Sequence, residues 1–159
     1  MAVKVGVMAD THGLLRPQVL DLLKTCDVIL HAGDFDDPRV YAALEAIAPL
    51  YAVRGNNDGA WAQALPDSRF FALEGVTFFM AHERGRIPED LAGARIAVFG
   101  HSHRYFEQTA GGCLLLNPGS CGKRRFHLEL SMAVLWLDEG RFRAEKVPLD
   151  GGKRAGAAP

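Results

Sequence analysis

From the amino terminus, Val3 to Met8 is an apolar run broken only by Lys4 and Gly6 and closed by Asp10, the pattern of a strand covered on both faces. Leu15, Val19, Leu20, Leu22 and Leu23 then recur at near-helical spacing, with Pro17 admissible in a first turn, so a short amphipathic helix follows. Val28-Ile29-Leu30 is a second buried strand. Strand, helix and strand form a right-handed crossover, which brings the carboxyl ends of both strands to one edge. Asp37-Pro38 supplies a cap and a first-turn proline for a helix carrying Val40, Leu44 and Ile47; Pro49 stops it, and Leu50 to Val53 forms a third strand.

After Pro66 the period changes. Arg69 to Leu73 and Val76 to Met80 flank Glu74-Gly75 as a hairpin, and Ile96 to Phe99 is another buried strand. Tyr105 to Thr109 with Leu114 to Leu116 flank Gly111-Gly112, and Ala133 to Leu137 with Phe142 to Val147 flank Asp138-Glu139-Gly140, giving two further hairpins. No repeat or linker divides the chain. An αβ first half and a β-rich second half are therefore expected to build one domain, residues 1–150, with two packed sheets and a frayed tail at 151–159. Strand order does not follow from the pattern.

Composition narrows the class without naming a partner. A chain of 159 residues can bury roughly two-thirds of its unfolded surface, and 48% hydrophobic with 23% charged residues is an ordinary globular balance. The formal charge is −1 and the only dense basic run is Lys123-Arg124-Arg125, so extended nucleic acid is not an expected partner. No apolar stretch has membrane-span length, and Cys26, Cys113 and Cys121 show no pairing pattern; with no leader-like start, a cytoplasmic setting is expected. Exposed hairpins leave a homo-oligomer open, with no interface identified.

Residues of ligand type stand at the ends of successive apolar runs: Asp10 and His12, Asp34, Asn56, His82, then His101 and His103. Any one of them suits a cap or a turn equally well. Seven in succession point jointly to a metal site, since crossover topology gathers strand ends and imidazole is a common metal ligand. His31 and His127 are read as structural, and the three cysteines as small hydrophobes.

In this order, Asp10-x-His12, Gly33-Asp34, Gly55-Asn56-x-Asp58, His82 and Gly100-His101-x-His103 resemble the signature of the calcineurin-like metallophosphoesterases, most of all their small bacterial and archaeal phosphodiesterases. Leu116-Asn117-Pro118-Gly119-Ser120 is similar to a segment of that branch, and the likeness runs from about Val3 to Leu137. The resemblance implies an α/β fold, a four-layer αββα sandwich of two mixed β-sheets flanked by helices. It also implies a dinuclear centre with Asp10, His12, Asp34 and His103 on one metal and Asp34, Asn56, His82 and His101 on the other, Asp34 bridging. Two divalent transition-metal ions would be the cofactors, Mn foremost, with Fe, Ni or Zn also suited to imidazole and carboxylate donors. A metal-bound hydroxide would attack phosphorus in line.

Asn57 and Asp58 occupy the catalytic position of the resemblance. Many members carry a histidine where this chain has Asn57, and an amide supplies no proton; Asn57 can hydrogen-bond the phosphate, with Asp58 beside it. Glu83 replaces a usual glycine after the metal histidine. Arg124 and Arg125, with Asn57, are the candidate substrate contacts, since guanidinium binds phosphate bidentately. The first expectation is thus a metal-dependent phosphodiesterase acting on a small phosphate ester. The alternative is a non-catalytic protein-binding scaffold of the same fold, as in a retromer subunit; seven retained ligands argue against it.

Overall fold

The computed structural model describes residues 2–125 and 127–149, so the 151–159 tail lies outside the described residues. The elements are β1 (Val3–Met8), α1 (Pro17–Leu23), β2 (Val28–His31), α2 (Pro38–Glu45), β3 (Leu50–Ala52), β4 (Ser68–Leu73), β5 (Val76–Ala81), β6 (Ile96–Val98), β7 (Tyr105–Ala110), β8 (Cys113–Pro118), β9 (Ser131–Asp138) and β10 (Arg141–Pro148). Short 3₁₀ turns lie at Ala60–Ala62 and Arg84–Arg86.

One five-stranded sheet has the order β10-β9-β1-β2-β3 and the other β4-β5-β6-β8-β7. Both are mixed. In the first, β1, β2 and β3 run parallel while β9 and β10 are antiparallel; in the second, β5, β6 and β8 are parallel, and β4 and β7 are antiparallel. The last hairpin, β9–β10, pairs with β1 and so returns to the sheet begun by the first half, with Val5 opposite Leu135.

The two sheets face each other across one apolar layer. Val5, Val7, Leu30 and Leu135 from the first meet Phe78, Met80, Ile96, Val98 and Leu116 from the second. Val19, Leu23, Val40 and Leu44 of α1 and α2 cover the outer face of the first sheet, against Met8, Ile29 and Met132. Gly6 interrupts the β1 run where α1 comes closest: a Cβ there would stand 2.8 Å from Leu23 Cδ2. Helix α2 starts as its sequence dictates, Asp37 accepting the Arg39 N–H at 2.8 Å and Pro38 taking the first position. The fold is the expected two-sheet α/β sandwich. Its fourth layer is thin: the outer face of the second sheet packs Phe79, Ala81 and Ala97 against Ile87, Leu91 and Ala94 of the β5–β6 link, whose helical content is the single turn Arg84–Arg86.

Candidate metal centre

Parallel strands β1, β2 and β3 of one sheet and β5 and β6 of the other end at a common edge, where backbone bonds tie together the strand-end loops within each sheet. Gly100 N–H donates to His82 O at 2.9 Å, and Asp10 N–H to Gly33 O at 3.0 Å. The glycines that precede the ligand-type residues allow this approach. Gly33 has φ +103°, and a Cβ on it would lie 2.8 Å from His82 Nδ1; one on Gly100 would lie 2.8 Å from Ala9 Cβ.

The backbone here is held in an uncommon conformation. Asp10, His12, Asp34, Asp36, His101 and His103 all have positive φ, between 48° and 76°, a region non-glycine residues rarely occupy and which clusters at functional sites. The surroundings hold them there. Ser120 Oγ–H donates to Asp10 O at 3.0 Å, and Asn117 Nδ2 donates to Gly100 O and Ser102 Oγ, each at 3.1 Å. Asn117 and Ser120, singled out by sequence only as family-like, are buried braces of the site.

Among the described residues two donor clusters contain histidine, Asp10 with His12 and His103, and Asp34 with His82 and His101; a third groups Asp34 with Asp36 and Asp58. His12 Nε2 and His103 Nε2 face each other at 3.2 Å, and His101 Nδ1 lies 3.3 Å from His82 Nε2. Asp34 Oδ2 touches both clusters, 3.2 Å from His82 Nε2 and 3.7 Å from His12 Nε2. Asp10 Oδ2 accepts the His101 N–H at 3.0 Å, whereas buried Asp10 Oδ1 has no hydrogen-bond partner. Three imidazole nitrogens, His12, His82 and His103 Nε2, surround that oxygen at 3.6–3.8 Å. A buried carboxylate oxygen without a donor is costly, and convergent oxygen and imidazole nitrogen atoms are the donor set divalent transition metals take. The residues present fit such ions.

Their tautomers are fixed from behind. His82 Nδ1–H donates to Ala32 O at 2.8 Å and His12 Nδ1–H to Asp36 Oδ2 at 2.7 Å, so both rings turn Nε2 inward. Asp36 drew no attention in the sequence, because its partner is 24 residues away. The Asp10 and Asp36 carboxylates push the His12 pKa up to about 9 against the opposing effect of burial. Burial lowers His82 as well, but hydrogen bonding to Asp34 and the charges of Asp10 and Asp34 outweigh it and leave its pKa raised. Burial holds His103 below its ordinary value. The carboxylates thus hold protons on the His12 and His82 imidazoles, and a cation bound here would take the place of those protons.

The other predicted residues fall around these clusters. Asn56 is exposed on the wall of a cavity of about 500 Å³ shared with His82, Glu83, Arg54 and Arg86. Asn57, also exposed, donates its N–H to Asp34 Oδ1 at 2.9 Å and reaches Asp34 Oδ2 with Nδ2 at 3.5 Å. Asp58, expected at the catalytic position, has both oxygens occupied by backbone N–H groups, of Asp34 (3.0 Å), Gly55 (2.9 Å) and Asp36 (2.9 Å). Arg124 and Arg125 border a second cavity, of about 440 Å³, with His12, Asp36 and His103.

His31 is structural, as expected, and it pins the site. Gly33 N–H donates to its Nδ1 at 3.0 Å, which leaves Nε2–H to donate to Thr11 Oγ1 at 3.0 Å, while its ring stacks on Phe35 at 3.6 Å. Full burial drives its pKa down to about 3. It is therefore neutral in the native state, whereas the unfolded chain protonates it below about 6.5. Stability from this group is complete above that pH and is lost as pH falls toward 3, by about 1.4 kcal/mol per unit. In urea unfolding between pH 6 and 5, His31→Leu should show a shallower pH slope by about that amount while being less stable at pH 7, where Gly33 N–H and Thr11 lose a partner. Parallel slopes for the two proteins would exclude a neutral, buried His31.

Fold and site together describe an α/β sandwich that presents two clusters of oxygen and nitrogen donors where its sheets join. The chain belongs to the calcineurin-like phosphoesterase superfamily, whose domain model matches residues 3–140. A probable metallophosphoesterase of Methanothermobacter thermautotrophicus is 32% identical over 156 residues, covering 89% of this chain and 90% of that protein. Among solved structures, a single mutant of Vps29 from Entamoeba histolytica matches with TM-score 0.73 at 23% identity, over 92% of this chain and 99% of that one. A structure described as a novel archaeal phosphodiesterase matches with TM-score 0.70 at 21% identity, over 91% and 99%. At those identities the two structures speak for the fold alone.

Proposed function

We propose that the protein is a cytoplasmic, metal-dependent phosphodiesterase holding two divalent transition-metal ions, manganese foremost, and acting on a small phosphate ester. The observation that carries this reading is the buried, unpartnered Asp10 Oδ1 with three imidazole Nε2 atoms turned toward it. Family membership and the named relatives support it. A scaffold of the same fold would need no such convergence.

When bound, the ions would supply Lewis-acid polarisation of a phosphoryl oxygen and an acidified water. Asp10, His12, Asp34 and His103 would hold one and Asp34, Asn56, His82 and His101 the other, with Asp34 Oδ2 already lying against histidines of both sets. Asp36 and the Ala32 carbonyl keep His12 and His82 in the ligating tautomer. Arg124 and Arg125, on the cavity beside His12 and His103, offer guanidinium groups to the phosphate oxygens. Asn57 contributes an amide and no acidic proton, which favours diesters with stable leaving groups over alkyl monoesters. Asp58 acts through the loops, tying Asp34, Asp36 and Gly55 together.

The test is metal analysis with turnover of bis-p-nitrophenyl phosphate and p-nitrophenyl phosphate before and after chelation. Activity on the diester that chelation removes and metal restores is expected; a protein inactive on both esters with metal supplied would overturn the reading. A melting experiment gives an independent check. Ions that bind only the native state at a hundredfold excess over Kd stabilise it by about 2.7 kcal/mol, or roughly 5–10 °C for a domain of this size. Chelation should lower Tm by that much. An unchanged curve, with less than one metal per chain, would count decisively against the centre.

A further inference from the structure

Four cavities are lined by residues of the donor clusters; one of them holds His103 with the polar groups of Glu129 and Lys146, and of the other three one differs in character. The two already described are polar, lined by Asn56, Glu83 and Arg86 or by Asp36 and the basic run. The third, of about 300 Å³, is walled by Phe99 and Phe106 with Arg84, His101, Ser102 and Arg104. The two phenyl rings lie 6.2 Å apart, tilted by 55°. The Arg84 guanidinium carbon lies 4.7 Å from the Phe106 ring centroid and 5.8 Å from that of Phe99.

This wall is built by the same segments that build the metal centre. Arg84 follows His82-Glu83 in the 3₁₀ turn Arg84–Arg86, and Phe99 directly precedes Gly100-His101. His101 belongs to both places: it lines the cavity, and its Nδ1 is 3.3 Å from His82 Nε2. A phosphoryl group held at the donor clusters therefore has this cavity as one of the neighbouring spaces for an ester substituent.

We infer that the cavity is a subsite for a nucleobase, so that the substrates of the proposed phosphodiesterase are nucleotide-derived; the inference rests on that reading of the site. Three features favour a base over other substituents. Aromatic rings and guanidinium planes are the surfaces on which unpaired bases stack. An alkyl chain would gain from the phenyl rings but would strip water from Arg84 and Arg104 without returning a hydrogen bond. A bare sugar would leave the phenyl wall unused, whereas Ser102 and Arg104 at the rim offer donors to the edge of a stacked base. The volume is at the small end of ligand pockets, suited to a compact ring system.

Isothermal titration calorimetry with adenosine 5′-monophosphate and ribose 5-phosphate, on protein supplied with Mn²⁺, separates the base from the phosphate. The nucleotide should bind about tenfold or more tightly than the sugar phosphate, the scale of one base–aromatic stack. Arg84→Ala and Phe106→Leu should each reduce that preference at least threefold and leave ribose 5-phosphate affinity unchanged. Arg84 is exposed and Phe106→Leu keeps an apolar side chain, so neither change threatens the fold. Equal affinities for the two ligands, no nucleotide binding, or variants that weaken both ligands alike would overturn the subsite. Turnover of bis-p-nitrophenyl phosphate judges the underlying reading separately. Turnover without base preference removes the subsite only; base preference without turnover keeps the subsite and removes the reaction; the absence of both overturns the two together.

Discussion

Asp34→Asn should lower turnover of bis-p-nitrophenyl phosphate by more than about a hundredfold, because changes in groups that merely orient a metal ligand already cost 10- to 100-fold. Asp34 is more central than such groups. Its Oδ2 lies against His82 and His12, from different donor clusters, while Oδ1 accepts the Asn57 N–H. Burial would raise its pKa, but the hydrogen bond from His82, the Asn57 N–H and the neighbouring imidazoles prevail and hold it below the usual carboxylate range. Its surroundings thus favour the carboxylate form. Asparagine has nearly the same shape and can keep the Oδ1 contact, yet it turns an NH₂ group or a neutral oxygen toward two Nε2 atoms and removes the charge they share. Bound metal should fall from two ions toward one or fewer per chain by elemental analysis, with the far-ultraviolet circular dichroism spectrum unchanged. Activity within tenfold of the parent at saturating metal would show that Asp34 does not serve both sites.

Local pattern reached far in this chain because its elements are short and sharply punctuated. The apolar run at Val3 to Met8 is β1 residue for residue, and Glu74-Gly75, Gly111-Gly112 and Glu139-Gly140 turn the three expected hairpins, with positive φ at each of these six residues. Asp37 and Pro38 start α2 as read. What stayed out of sight depends on partners distant in sequence. Whether β9 pairs with β1 or with the second sheet is a matter of register between Val5 and Leu135, which no window of sequence contains. The thin outer layer at Ala81 to Ala94 is similarly hidden, since Ile87 and Leu91 have enough apolar character to cover small residues without forming a helix. At the centre, six of the seven residues expected as ligands converge in two clusters, while Asn56 stands at the cavity wall beside His82. Asp36 was missed as a support because it looks like an ordinary turn residue until it meets His12, and His31, read as structural, shows its partners Thr11 and Gly33 only in the fold. Positive φ at Asp10, His12, Asp34, His101 and His103 has no sequence signal beyond the glycines nearby.

Asn57→His should raise kcat/KM for alkyl phosphodiesters by about a hundredfold or more while changing nitrophenyl esters little, since general acid assistance is commonly worth 10²–10⁴-fold and acidic leaving groups hardly require it. The structure gives the substitution a place to act. Asn57 is exposed, and its Nδ2 extends to 3.5 Å from Asp34 Oδ2, so its side chain already reaches the edge of the donor clusters. Its backbone N–H is tied to Asp34 Oδ1 at 2.9 Å, and the Asp58 carboxylate next to it fixes the loop through Asp34, Asp36 and Gly55. An imidazole on that braced backbone would stand at the same lip with a proton to give, as its unperturbed pKa is near neutrality. In the parent chain the leaving oxygen receives no side-chain proton from this position, so log kcat/KM should fall steeply as leaving-group pKa rises. In Asn57→His the slope should flatten, and the two lines should converge at nitrophenolate. The measurement is kcat/KM for both proteins across a series from nitrophenyl to alkyl diesters at equal metal content. Parallel lines would show that position 57 does not face the leaving group, and the amide would then be confined to holding Asp34.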